Sequence, residues 1–105
     1  MAQFAVHRNK NPRTKIAFPL LLDVQSDLLE ALKTRVVIPL SRASVLARNP
    51  LEQLMPILAV EGESYVLVTP QLAGIAHHEL GPVIGSLAAQ RDTILAAMDF
   101  LLTGI

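Results

Sequence analysis

The sequence predicts an α+β protein in which an antiparallel β-sheet, or a small barrel, packs against one long C-terminal helix. Between residues 3 and 78, short apolar runs alternate with turn signals rich in Pro, Gly and Asn. From residue 86 onward, the apolar residues instead recur at three- and four-residue steps. Many short strands followed by a single terminal helix are typical of an antiparallel α+β fold. Because the 105 residues contain no repeat and no flexible linker, we expect one domain over residues 1–105.

The expected strands are short stretches of aliphatic and β-branched residues. They are Gln3–Arg8, Lys15–Gln25, Thr34–Leu40, Leu54–Val60 and Ser64–Thr69, with a further extended segment at Leu72–His78. The first two should form a hairpin, and Pro19 within the second marks an edge or a bulge because proline lacks the N–H donor. Thr34–Leu40 should be a central strand that ends at Pro39. Glu61-Gly62-Glu63 predicts a three-residue hairpin loop.

Three other segments are expected to interrupt the sheet. Ser26 or Asp27 can cap a short turn that runs through Leu28–Lys33. A short helical turn is expected within Ser41–Asn49, before Pro50. The stretch from Leu80 to Gly85 contains two glycines and a proline, so we expect it to interrupt regular secondary structure before the helix.

The helix is expected to span Ser86–Ile105, with Ser86 as N-cap and Gly104 at the C′ position. One apolar stripe should pack on the sheet. It consists of Leu87, Ile94, Leu95, Met98, Leu101 and Leu102.

The rear face of this helix carries small or apolar residues where a solvated face would carry Lys and Glu. These residues are Ala89, Thr93, Ala96, Phe100 and Thr103. A helix of this kind is usually covered on a second side, so we expect a subunit or a partner to lie there. The alternative is a local loop that lies over Phe100.

The end of the helix is electronegative. The helix dipole places partial negative charge at the C-terminus, and the sequence adds Asp99 and the carboxylate of Ile105 without a Lys or Arg nearby. This arrangement is favourable if the helix end meets a cationic partner. The alternative is that this charge pattern has no function, since chain termini are often frayed and poorly ordered.

Composition narrows the function classes. Apolar residues make up 51% of the chain, the mean hydropathy is positive, and the formal net charge is zero. A hydrophobic chain without a membrane span favours an oligomer. The apolar run Ile16–Leu22 has only seven residues, contains Pro19 and meets Asp23 without a small-residue cleavage site, which argues against a signal peptide. No run is long enough to span a bilayer, so we expect no membrane association. Cysteine is absent, which excludes disulfides and thiolate metal sites and suits a cytoplasmic protein.

No catalytic or metal site is evident. His77 and His78 are adjacent, and adjacent strand residues point to opposite faces, so they cannot easily share one ion. The sequence contains no nucleophile elbow and no glycine-rich phosphate loop. Asp23 and Asp27 could be imagined as paired carboxylates but are better suited to turn and capping hydrogen bonds. We therefore expect no cofactor and no catalysis. Direct DNA binding is also not expected, because no recognition helix carries the basic residues.

Four stretches resemble the CcdB gyrase-poison toxins in order and spacing. They are the start at Gln3-Phe4, the run L-D-V-Q-S-D-L-L at Leu22–Leu29, R-V-V-I-P-L at Arg35–Leu40, and the final T-G-I at Thr103–Ile105. The resemblance extends over essentially the whole chain and is weakest over residues 41–85.

This resemblance implies a CcdB-like, SH3-like barrel with a long C-terminal helix, assembled as a homodimer. It implies the toxin of a type II toxin–antitoxin module, which binds the A subunit of DNA gyrase and traps the enzyme on cleaved DNA. A CcdA-like antitoxin would neutralise the toxin and repress their operon together with it, so that DNA is contacted only through the complex. Such a toxin is not itself an enzyme.

The resemblance also implies a gyrase-binding site. In CcdB toxins the contact is the helix end, commonly Trp-Gly-Ile, and here Gly104 and Ile105 match while Thr103 takes the tryptophan position. Asp99, Leu102 and Leu28 fall at further contact positions of the family.

The threonine opens an alternative function. A tryptophan could stack on a gyrase arginine for about 0.5–2 kcal/mol, which Thr103 cannot do. The alternative is therefore a CcdB-fold protein with weakened or lost gyrase action that serves as an antitoxin-binding or regulatory module. An RNase on a similar fold is a third hypothesis, and the lack of a convincing acid–base pair argues against it.

Overall fold

A computed structural model describes residues 2–43 and 51–104 of the chain. Its strands are β1 (Ala5–Asn9), β2 (Leu20–Asp23), β3 (Thr34–Arg42), β4 (Ile57–Val60), β5 (Glu63–Leu67), β6 (Ala73–Ala76) and β7 (Leu80–Ser86). The α-helix is α1 (Arg91–Thr103), and short 3₁₀ turns occupy Asp27–Leu29, Thr69–Gln71, His77–Glu79 and Ala88–Gln90. Over these two ranges the strands form one curled antiparallel sheet, and α1 packs on it. The predicted α+β fold class is confirmed.

Strand β3 is the centre of the sheet, as its apolar and β-branched sequence predicts. The order is β4-β5-β3-β2-β1-β7, with β6 also paired to β3. The expected end at Pro39 is wrong, because β3 continues to Arg42. Pro39 lies where one edge of β3 passes from pairing with β6 to pairing with β5, and its carbonyl accepts a bond from the Val68 N–H at 2.9 Å. Its missing N–H therefore falls at a break in the ladder, where it interrupts no pairing.

The predicted N-terminal hairpin is confirmed by the antiparallel pairing of β1 and β2. Its second strand is shorter than expected, since residues 12–17 form turns and Pro19 precedes β2. The Asn9 amide donates to Thr14 Oγ1 at 2.9 Å and to the Phe18 carbonyl at 2.8 Å. Local side-chain hydrogen bonds of this kind hold the segment in a loop instead of a ladder.

The hairpin of β4 and β5 is also confirmed, with a tighter turn than expected. Val60 pairs directly with Glu63, so the loop consists of Glu61 and Gly62 alone. Both have positive φ, 50° and 79°, which is the pattern of a type I′ turn. The predicted extended segment at 72–78 is confirmed in part as β6, which ends at Ala76, and His77 and His78 lie in the 3₁₀ turn that follows.

The expectation that residues 80–85 interrupt regular secondary structure is wrong. They form β7, which pairs antiparallel with β1 through a ladder that has two register irregularities. Because β7 ends the strand order, Pro82 is tolerated on an edge strand. Gly81 is needed for close approach, since a Cβ there would lie 2.5 Å from the Arg8 carbonyl oxygen.

The main core lies between one face of the sheet and α1 and is almost entirely aliphatic. Its fully buried members include Val6, Leu22, Ile38, Leu40, Leu67, Ile94 and Ala97. A smaller cluster on the other face combines Leu21, Val37 and Leu80 with Ile75. The predicted helical turn within Ser41–Asn49 falls largely on residues 44–50, which lie outside the described residues. None of the helices in the described ranges is long and apolar enough to cross a bilayer.

Candidate functional site: the end of helix α1 and a leucine-rich turn

Helix α1 begins at Arg91, five residues after the predicted start. Ser86 is the last residue of β7, where it pairs with Ala5, and the Leu87 N–H continues this pairing to the Phe4 carbonyl at 2.8 Å. Ser86 Oγ accepts a bond from the Ala88 N–H at 3.2 Å, at the first residue of the 3₁₀ turn before α1. The prediction of Ser86 as N-cap of the α-helix was therefore wrong, because strand pairing takes precedence over the cap.

The first part of the predicted apolar stripe is confirmed. Ile94 is fully buried with Ala97, and Leu95 and Met98 pack against the same core. Leu87 is buried too, although it precedes the helix. The stripe does not continue to the end of the helix, where Leu101 is partly exposed and Leu102 is 78% exposed. At 100° per residue, Leu102 points roughly 110° away from the direction shared by Ile94 and Ala97, which explains its exposure.

The last turn of α1 closes as predicted. Gly104 is left-handed, with φ 74°, and its N–H donates to the Phe100 carbonyl at 2.9 Å. The Thr103 hydroxyl donates to the Asp99 carbonyl at 2.7 Å. Asp99 and Thr103 are exposed, and Ile105 lies outside the described residues.

We call the surface formed by Asp99, Leu102, Thr103 and Gly104 the helix tip. Carbonyl groups at the end of α1 carry partial negative charge, and the Asp99 carboxylate adds to it. No Lys or Arg follows Arg91 in the sequence to compensate. The helix tip thus combines an exposed leucine with an electronegative helix end, an arrangement that suits a partner with a cation beside an apolar surface.

Leu28 lies on a different element, the 3₁₀ turn Asp27–Leu29, and is 93% exposed. Leu29 and Leu32 are about half exposed, and we call residues 26–32 the leucine turn. Ser26 is the cap, since its Oγ accepts from the Leu28 N–H at 3.2 Å. Asp27 instead accepts from the Gln3 N–H at 2.7 Å. The sequence predicted the turn and its cap but not the exposure of its leucines, which depends on which elements pack nearby.

The leucine turn and α1 are joined through the N-terminal segment. Besides its bond to Asp27, Gln3 donates its side-chain amide to the Val24 carbonyl at 3.1 Å. The Phe4 N–H donates to the backbone carbonyl of Asp23, and the Phe4 carbonyl accepts from the Leu87 N–H just before the helix. The helix-tip residues therefore share one helix end, while Leu28 belongs to an element that is linked to the start of α1.

The rear face of α1 borders an open groove of about 390 Å³. Thr93 and Ala96 on this face are exposed and Phe100 is half-buried, while Glu52 and Gln53 form the other wall. The chain around residue 52 thus lies along the helix without covering the small residues.

The other candidate groups serve structural roles. Asp23 forms a buried ion pair with Arg35 at 2.8 Å, so it is not paired with Asp27. Both carboxylates accept backbone N–H bonds, as predicted for turn residues. The ion pair itself was missed, because it depends on the register between β2 and β3. Across residues 2–43 and 51–104, no group of three His, Asp or Glu side chains could hold a metal ion.

A family model described as CcdB protein matches residues 3–104. The match includes both the leucine turn and α1 through Gly104. The chain therefore belongs to the CcdB family of toxin–antitoxin toxins and gyrase poisons.

Proposed function

We propose that this protein is the toxin of a type II toxin–antitoxin module and that it binds the A subunit of DNA gyrase through the helix tip. Binding would trap gyrase on cleaved DNA without any catalytic step by the toxin. The observation that supports this most is the exposure of Leu102 on a helix end that carries Asp99 and no basic residue. Membership of the CcdB family supplies the class of target.

The contact is proposed to combine charge with apolar burial. A basic side chain of gyrase would approach Asp99 and the final carbonyls of α1, and an apolar surface would cover Leu102. Gly104 and Ile105 are proposed as further contacts of gyrase, and Leu28 as a second apolar contact.

The same proposal includes partners of the toxin in the cytoplasm. A CcdA-like antitoxin would neutralise it and bind operator DNA on behalf of the complex. A second copy of the chain would cover the rear face of α1, where Thr93 and Ala96 are exposed. Sedimentation should then give the mass of a dimer, and the mass of a single chain would contradict this part of the proposal.

Expression in bacteria tests the function. Induction should arrest growth, and co-expression of a cognate CcdA-like antitoxin should restore it. Removal of Gly104 and Ile105 should abolish arrest while leaving the protein folded, as judged by circular dichroism. Full toxicity of the shortened protein would contradict the assignment of the helix tip.

A second candidate is a CcdB-fold protein with weakened gyrase action that serves to bind the antitoxin. The observation that favours it is the Thr103 hydroxyl, whose proton is already donated to the Asp99 carbonyl. Thr103 therefore offers a partner only a methyl group and acceptor lone pairs. This alternative predicts antitoxin binding together with an absence of trapped gyrase–DNA complexes.

A further inference from the structure

We infer that Gln25 is a positioning residue that fixes the leucine turn, and with it Leu28, in the conformation presented to gyrase. The inference rests on the proposed function only in its choice of partner. It is carried by a buried polar network that ends on the turn.

The network begins with the ion pair of Asp23 and Arg35, whose side chains are 0% and 1% exposed. Arg35 approaches Asp23 Oδ2 through Nε at 2.9 Å and through Nη2 at 2.8 Å. The other carboxylate oxygen of Asp23 accepts from the Gln25 N–H at 3.0 Å, and Arg35 Nη2 donates to the Gln25 carbonyl at 3.3 Å. The ion pair thus holds the backbone of Gln25 through both its N–H and its carbonyl group.

The side chain of Gln25 then connects the sheet to the turn. It is buried, and its Oε1 accepts from the Val36 N–H at 3.1 Å while its Nε2 donates to the Leu29 carbonyl at 3.2 Å. The Leu29 carbonyl also accepts from the Leu32 N–H at 3.1 Å, which closes the turn. An amide suits this place because it supplies one acceptor and one donor at once.

Apolar burial does little to hold the leucine turn. Its 3₁₀ segment contains no buried residue, and Leu28, Leu29 and Leu32 are exposed. Its position therefore depends on hydrogen bonds, of which the Gln25–Leu29 bond is the one anchored in a buried network. Exposed leucines held in one conformation are suited to a partner, because less order must be imposed on binding.

Two substitutions separate positioning from packing. Gln25→Glu keeps the size and the acceptor for Val36 but removes the donor to Leu29, and Gln25→Met removes both without adding charge. Val60→Ala, in β4, is the control for a general loss of stability. In the free protein, both Gln25 variants should speed amide exchange at Leu29 and Leu32 by about two- to tenfold more than the control, which is the effect of one lost hydrogen bond.

The second measurement is a double-mutant cycle for binding to the purified A subunit of gyrase. Leu28→Ala should weaken binding in the wild-type background and have a smaller effect in the Gln25→Met background, where Leu28 is no longer fixed. Equal effects in both backgrounds, or exchange at the turn no faster than in the control, would overturn the inference. If the wild type does not bind the A subunit, the proposed function fails, and the exchange comparison alone decides whether Gln25 positions the turn.

Discussion

At the residue scale, Thr103 takes the position at which the resemblance to CcdB toxins implies a tryptophan. Its hydroxyl is bonded within the helix, so it has no free donor for a partner. Thr103→Trp should tighten binding to the gyrase A subunit, because stacking on an arginine contributes about 0.5–2 kcal/mol, or about 2- to 30-fold in affinity. Surface plasmon resonance with the A subunit would measure this. Thr103→Ser is the matched control, and equal affinity of the tryptophan variant and the wild type would contradict the predicted contact.

Tyr65 gives a prediction about pH. Burial raises the pKa of Tyr65 above its ordinary value of 10.0, and the hydrogen bond to Glu63 and the charge of that carboxylate raise it further. The unfolded chain loses this proton first as the pH rises. The stabilisation is therefore fully present below about pH 10 and is lost as the pH rises through the higher pKa of the folded state.

Urea denaturation of the wild type and Tyr65→Phe at a series of alkaline pH values checks this prediction. The wild type should lose stability more steeply than the variant above pH 10. Because the sequence contains one tyrosine, ultraviolet titration of the folded protein reports this phenol directly. An ordinary tyrosine titration would contradict the expected shift.

At the element scale, the pairing of β7 with β1 depends on close backbone approach at one glycine. Gly81→Ala would place a methyl group 2.5 Å from the Arg8 carbonyl oxygen, so one strand must move. We expect a loss of about 1–3 kcal/mol in the free energy of unfolding. Gly85→Ala in the same strand is the control, since its Cβ would meet no atom within 4 Å. Equal effects of the two substitutions in chemical denaturation would contradict this account of the strand pair.

The same strand shows what could be predicted from sequence at this scale. The hairpins, the central strand and the terminal helix follow from local patterns, namely apolar spacing and turn residues. Strand β7 does not, because its glycines and proline are accommodated only by pairing with β1, far away in the sequence. The late start of α1 has the same cause, since Ser86 and Leu87 remain bonded to the N-terminal segment.

At the scale of the whole molecule, the fold class was predictable, whereas the surface of the candidate site was only partly so. The helix-tip residues could be identified from the resemblance to CcdB toxins, and Gly104 from the rules for helix ends. Periodicity placed Leu102 in the buried stripe, whereas the resemblance implied a contact position, and the side chain is exposed. The Asp23–Arg35 pair and the hold of Gln25 on the leucine turn required the register of β2 and β3.

The central claim is that the exposed leucine of an electronegative helix end is the contact for gyrase. The most direct measurement is the amount of linear DNA released after protein denaturation when purified gyrase and supercoiled plasmid are incubated with the protein. The wild type should increase cleavage, and Leu102→Asn should reduce it by about tenfold or more, as expected for a central contact of an interface. Ile16→Asn, at a site that is 86% exposed in the loop before β2, should leave it unchanged. Equal cleavage by the two variants, or no cleavage by the wild type, would contradict the claim.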